Sequence, residues 1–134
     1  IVAVPGLGSN MTHTWIWKDE KTQRRVHWLK DKEMLQKVIP KARITVFGYR
    51  SQWFGPDATN ANLPTISGDL LESIKVDRAD SVSLRPIIFV GHSLGGLIIA
   101  KAITKAKREP EEYPGIIDCI TACVFLGTPF RGSD

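Results

Sequence analysis

The sequence predicts an α/β protein, a three-layer sandwich built on a parallel β-sheet. Three observations carry this. Short apolar runs at residues 1–4, 42–49, 87–90 and 116–126 alternate with segments whose apolar positions recur at helical spacing. The runs end in turns rich in Gly or Pro, and the run at 87–90 is unbroken and rich in branched residues, as a strand buried on both faces requires. That run leads through Gly91-His92-Ser93-Leu94-Gly95 straight into a helix-compatible segment, the strand-to-helix setting of Gly-x-Ser-x-Gly.

Residues 1–4 form the first strand and end at the turn Pro5-Gly6-Leu7-Gly8-Ser9. Residues 10–25, with His13-Thr14-Trp15-Ile16-Trp17 and a charged run, lack a regular period and read as a loop across the site whose aromatics wall a pocket. From 26 to 39 the apolar positions Trp28, Leu29, Leu35, Val38 and Ile39 recur at helical spacing up to Pro40, predicting a helix that covers one face of the sheet. Residues 42–49 read as the second strand, followed by a loop over 50–64 that holds Trp53 and Phe54. Ile66, Leu70, Leu71 and Ile74 predict a helix over 66–79. After the strand at 87–90, a helix over 94–107 stops before Pro110, and a fourth strand over 116–126 leaves through Gly127-Thr128-Pro129. In a sheet made of such βα units, ligands sit beyond the carboxyl ends of the strands. Residues 5–9, 49–55, Ser93 and 127–131 are therefore expected to meet on one rim.

With 134 residues, 43% hydrophobic and 24% charged, the chain amounts to about one domain, read as a single partial domain over 1–134. It opens directly on the strand Ile1-Val2-Ala3-Val4, which reads as a piece of something longer. No apolar segment approaches the ~18–20 residues of a membrane helix, and nothing is repeated or low in complexity. The net charge of +4 comes from lysines and arginines interleaved with Asp and Glu, the pattern of solvated faces. A peripheral contact with an anionic lipid surface is the alternative reading of that charge. Nucleic acid is not an expected partner, because no nucleic-acid motif accompanies it. Cys119 and Cys123 lack a His or a second Cys pair for zinc and read as free thiols in a reducing compartment. That favours an intracellular setting: the cytoplasm, the mitochondrion or the endoplasmic reticulum surface.

Ser93 is the candidate nucleophile. At a strand-to-helix turn of this kind the serine backbone is strained and its hydroxyl stands over the carboxyl end of the strand. The flanking glycines are needed because a Cβ there would collide with neighbouring elements. A nucleotide-binding turn would show Gly-x-Gly-x-x-Gly or Gly-x4-Gly-Lys-Ser/Thr, and neither spacing occurs here. In an acyl-transfer site one oxyanion donor is the N–H after the nucleophile and the second comes from the turn after an earlier strand, roles that fit Leu94 and Leu7. Gly6, Gly8, His92 and Trp53 complete the expected substrate-facing surface. The chemistry expected of such a site is acyl transfer, and no metal or organic cofactor is implied.

Further matches are Val4-Pro5-Gly6-Leu7-Gly8, His13-Thr14-Trp15, Trp28-Leu29-Lys30-Asp31, the run from Arg43 to Tyr49, the run from Arg85 to Leu97, and Phe125-Leu126-Gly127-Thr128-Pro129-Phe130-Arg131-Gly132-Ser133. On these residues the chain resembles α/β-hydrolases of the lipase/serine-esterase type. The nearest group includes inositol deacylase-like and serine-active-site-containing proteins and the amino-terminal domains of fungal repeat proteins. The resemblance implies an α/β-hydrolase fold and esterase or lipase chemistry linked to lipid metabolism, with an ester or lipid small molecule as the expected substrate. Pro5-Gly6 stands where the family often has His-Gly, and Phe130 stands where it usually has His.

A serine hydroxyl needs a His to take its proton and a carboxylate to orient that His, in the chain order Ser, acid, His for this fold. No histidine follows Ser93. His92 projects away from the Ser93 hydroxyl in such an elbow, and His13 and His27 read as loop or helix-surface residues. Asp118 falls at the start of the last strand, at the wrong end of the sheet, and Asp134 is the last residue. Two accounts follow: acid and base lie beyond residue 134, with carboxy-terminal domains of the same chain, or the fold serves as a non-catalytic ligand-binding and signalling domain.

Overall fold

The computed structural model describes residues 1–6, 8–49, 62–79 and 85–132. Its centre is a four-stranded parallel sheet of β1 (Val2–Val4), β4 (Thr45–Val46), β5 (Ile87–His92) and β6 (Ile120–Leu126), in the order β4-β1-β5-β6. The two central strands are the most buried, and their alternating side chains divide between two cores as the pleat demands. Val4 and Phe89 face one core with Phe47; Ala3 and Val90 face the other.

The larger core is closed by α2 (Leu63–Arg78), α3 (Leu94–Arg108) and α4 (Ile116–Cys119). Helix α2 starts where Asn62 accepts from the Thr65 backbone N–H at 3.0 Å and from the Thr65 hydroxyl at 2.9 Å, with Pro64 in the first turn. Its Ile66, Leu70, Leu71 and Ile74 meet Ile98, Ile99, Ala102 and Ala106 of α3, all buried. Each large aliphatic side chain buried in this way contributes about 1.5–3 kcal/mol. The hydroxyl of Ser67, buried in that contact, donates to the carbonyls of Leu63 at 2.6 Å and Ile98 at 3.1 Å. A polar group inside the helix pair is thereby satisfied. The expected helices over 66–79 and 94–107 are present within a few residues.

The opposite face is covered differently from the expectation. Residues 10–39 form neither an irregular loop nor a long helix. His13–Trp15 is a single 3₁₀ turn, and β2 (Ile16–Lys18) pairs antiparallel with β3 (Arg25–His27). The Asp19 carboxylate holds the connection by accepting from the Lys21 N–H at 2.9 Å and the Thr22 hydroxyl at 2.6 Å, which keeps its pKa low. The helical spacing over 26–39 yields only α1 (Leu35–Val38), because the backbone at 25–27 is spent on β2 and Asp31 accepts from the His27 N–H at 2.9 Å. Trp15 and Leu29 fill the second core, with Trp28 and Leu35 packed against it.

Two further boundaries move. Only Thr45–Val46 of the run at 42–49 is strand, extended by bonds from the Thr45 N–H to the Ile1 carbonyl (2.9 Å) and the Phe47 N–H to the Ala3 carbonyl (2.8 Å). Residues 116–119 form a helical turn before β6, and Ile116 and Cys119 use it to reach the core. Strand β6 lies at an edge of the described sheet and leaves Val124, Phe125 and Leu126 exposed.

Candidate active site

Strand β5 runs directly into α3, and Ser93 is the single residue between them. Its backbone sits at φ 52°, ψ −129°, a left-handed conformation that a non-glycine residue adopts only where its surroundings impose it. Those surroundings are visible. The Ser93 N–H donates to the Leu126 carbonyl at 2.8 Å, and the Ser93 carbonyl accepts from the Gly96 N–H at 3.1 Å. The residue is thus tied to β6 on one side and to the first turn of α3 on the other. A serine before a helix usually caps it with its side chain; Ser93 makes no such bond. Its half-buried hydroxyl is not spent on the helix.

The neighbouring glycines are required by packing. A Cβ on Gly95 would overlap the carbonyl oxygens of Val4 and Pro5, and one on Gly96 would overlap the side chain of Thr128. One on Gly91 would lie 2.7 Å from the Gly96 Cα. The start of α3 therefore rests on the exits of β1 and β6 with no room for side chains. Leu94 opens α3, where the first N–H groups of a helix have no intrahelical partner and face the turn.

The turn after β1 touches the same point. Gly6 is buried, and a Cβ on it would stand 3.0 Å from the Ser93 Cβ and 3.4 Å from the His92 carbonyl oxygen. Pro5 is held by the Tyr49 hydroxyl, which donates to its carbonyl at 2.8 Å, and the Tyr49 ring stacks on Phe47 with centroids 5.7 Å apart. Burial pushes the Tyr49 pKa up to about 12, so the phenol stays a donor across the ordinary pH range. The expected convergence of strand exits is physical for Pro5, Gly6, Tyr49, Ser93 and Thr128. Gly8 is exposed at φ 70° with open space around it, so it serves the turn and not a close approach. Leu7, Trp53, Phe54 and Asp134 lie outside the described residues.

His92 points away from the sheet rim into the second core, its ring edge-on to Trp15 at 6.4 Å. Trp15 in turn meets Trp28 edge-on at 5.6 Å and is buried, so it is a core residue and not the pocket wall expected from sequence; Trp17 is exposed. Among the described residues, His92 Nδ1, Trp15 Nε1, His27 Nδ1 and Thr128 Oγ1 are buried without a hydrogen-bond partner. Two of these, on His92 and Thr128, flank the elbow. Phe130 is exposed and packs edge-on against Phe125 at 5.0 Å. Asp118 belongs to α4, ahead of β6, and so lies at the amino ends of the parallel strands, opposite Ser93. Sequence reasoning missed Tyr49 as the group that pins the Pro5 turn; the signal was an aromatic donor immediately after a strand that neighbours β1.

Among the described residues no group of His, Cys, Asp and Glu is arranged to hold a metal ion, and no helix is long and apolar enough to cross a membrane. Cys119 and Cys123 are free thiols, and burial raises the Cys123 pKa.

Residues 1–134 match the family described as Putative serine esterase (DUF676). Protein SERAC1 of Bos taurus is 36% identical over 67 residues, and that of Homo sapiens 33% identical over the same length. In each case the aligned stretch is 50% of this chain and 10% of the relative. No solved structure matches.

Proposed function

Since the chain belongs to the family described as Putative serine esterase (DUF676), we propose that it is a serine hydrolase that cleaves a carboxylic ester or lipid acyl bond with Ser93 as nucleophile. The observation that carries this is the left-handed Ser93 backbone at the β5–α3 junction, with a hydroxyl that makes no capping bond.

In the proposed reaction the Ser93 oxygen bonds to the ester carbonyl carbon while a histidine takes the hydroxyl proton. The carbonyl oxygen becomes an oxyanion held by the N–H of Leu94 and that of Leu7. The carbon–oxygen bond to the alcohol then breaks, the alcohol leaves with the proton, and water releases the acid from the acyl-serine. Gly6 and Tyr49 act on the backbone: Gly6 lets the first turn lie against Ser93, and Tyr49 holds that turn through the Pro5 carbonyl. No histidine follows Ser93 in the sequence, so this reading places the acid and the base in chain beyond residue 134. The curated relatives, of which the aligned stretch is 10%, are long enough to hold them. The substrate class, an ester or lipid small molecule, is part of the proposal, as is a supporting role for carboxy-terminal domains.

A fluorophosphonate ester tests this, because it reacts quickly only with a serine activated by a base and facing an oxyanion hole. Labelling of the full-length protein that disappears in Ser93→Ala supports the hydrolase. A folded full-length protein that is not labelled overturns it and favours a non-catalytic ligand-binding domain.

A further inference from the structure

The turn after β1 brings a second hydroxyl to Ser93. The Ser9 N–H donates to the Gly6 carbonyl at 3.3 Å, and Gly8 between them takes φ 70°, a conformation that glycine adopts at little cost. The chain is thereby folded back on Gly6 and carries the Ser9 side chain with it. A methyl placed on Gly6 would touch Ser9 Oγ at 3.3 Å and the Ser93 Cβ at 3.0 Å. One point in space is thus in contact with both serines. Ser9 is half-buried, and its hydroxyl is not needed to hold the chain that follows: the Asn10 side chain accepts from the Thr12 and His13 N–H groups at 2.9 and 3.1 Å.

When an ester carbonyl carbon bonds to the Ser93 oxygen, the carbonyl oxygen takes on negative charge, and donors already aimed at it lower the barrier. An oxyanion accepts more bonds than the two N–H groups of Leu94 and Leu7 supply. A serine hydroxyl rotates to suit an acceptor, and Ser9 stands beside the reacting serine on the same turn as Leu7. We propose that the Ser9 hydroxyl is a third oxyanion donor, a catalytic residue contributed by a side chain. It donates a hydrogen bond to the carbonyl oxygen as charge develops there, keeps its proton throughout, and forms no covalent bond. This inference rests on the reading of Ser93 as the nucleophile.

Steady-state hydrolysis of a p-nitrophenyl ester by the full-length protein tests it, with Ser9→Ala and Ser9→Thr compared by thermal melt. In Ser9→Ala, kcat should fall by about 10²-fold, the usual cost of one lost oxyanion donor, while KM stays within about twofold. Inhibition by a trifluoromethyl ketone, whose serine adduct carries the same oxyanion, should weaken by the factor that kcat/KM loses. Ser9→Thr keeps the hydroxyl and should retain kcat to within about tenfold of the wild type. The inference is overturned if Ser9→Ala hydrolyses as fast as the wild type, if the loss lies in KM with inhibition by the ketone unchanged, or if Ser9→Thr is as slow as Ser9→Ala. A folded wild type that neither hydrolyses the ester nor takes the fluorophosphonate label removes Ser93 as nucleophile and this inference with it, whereas an active wild type matched by Ser9→Ala removes this inference alone.

Discussion

Gly6 lies against Ser93: a Cβ built on the glycine would stand 3.0 Å from that of the serine. Two turns that follow different strands, β1 and β5, thus meet within van der Waals distance. The position of one sets the position of the other.

Gly6→Ala should therefore change chemistry more than stability. The added methyl also meets Ser9 Oγ at 3.3 Å, so neighbours must yield by a few tenths of an ångström, while the unfolded chain loses entropy in the mutant's favour. The net stability change should lie within about 1 kcal/mol. Misplacing a reacting group costs up to about 10²-fold in rate, and the proposed ester hydrolysis should fall toward that. Steady-state hydrolysis and a thermal melt of the same variant separate the two effects; an unaltered rate would refute the coupling.

Gly95→Ala and Gly68→Ala should move stability in opposite directions, though both sit in helices. At Gly95 the methyl would overlap the carbonyl oxygens of Val4, in β1, and of Pro5, in the turn that Tyr49 pins to it, and neither can yield. A loss of about 1–3 kcal/mol is expected. At Gly68 the nearest atom is the flexible Lys105 Cε at 3.8 Å, so the methyl only raises helix propensity, by about 0.5–1 kcal/mol. Chemical denaturation of both variants decides it.

Ser93→Gly should yield a more stable protein that lacks the proposed hydrolytic activity. The backbone at φ 52° costs about 1–3 kcal/mol for a side-chain-bearing residue, and glycine removes that cost at a smaller entropic penalty. A gain of about 1 kcal/mol is expected, whereas Ser93→Ala keeps the strain and should gain nothing. Equal melting temperatures for the two variants would show that the serine backbone stores no strain.

Tyr49→Phe should alter the response to alkali. The folded-state pKa is pushed up to about 12 by burial, above the ordinary value of 10.0. Between those values the folded phenol keeps its proton while the unfolded one loses it, so the unfolded state binds fewer protons and stability falls as pH rises. The tyrosine's contribution is whole below pH 10.0 and is lost toward about 12. Denaturation midpoints over that interval should decline more steeply in the wild type than in Tyr49→Phe; parallel declines would contradict the assignment. At neutral pH the variant loses the bond to Pro5, a cost of about 1 kcal/mol.

The parts of the fold that were legible in the sequence are those stabilised by their own segment or by an adjacent one. Ile66, Leu70, Leu71 and Ile74 advertise their burial by spacing alone. The misread stretch is 26–39, where Trp28, Leu29 and Leu35 have helical spacing but the preceding residues pair with Ile16–Lys18. A short helix gains little on its own, and a nonlocal hydrogen-bond partner together with a core slot for Trp15 outweighs it.

By itself the sequence determined the α/β class, the two long helices and the strand-to-helix turn at Ser93, because apolar period and glycine spacing act over neighbouring residues. Tertiary structure alone decided that Gly6 and Tyr49 brace that turn and that Trp15 fills a core. These relationships join residues tens of positions apart. They arise from how strands align in the sheet, which depends on the free energy of the whole packed chain and not on any one segment.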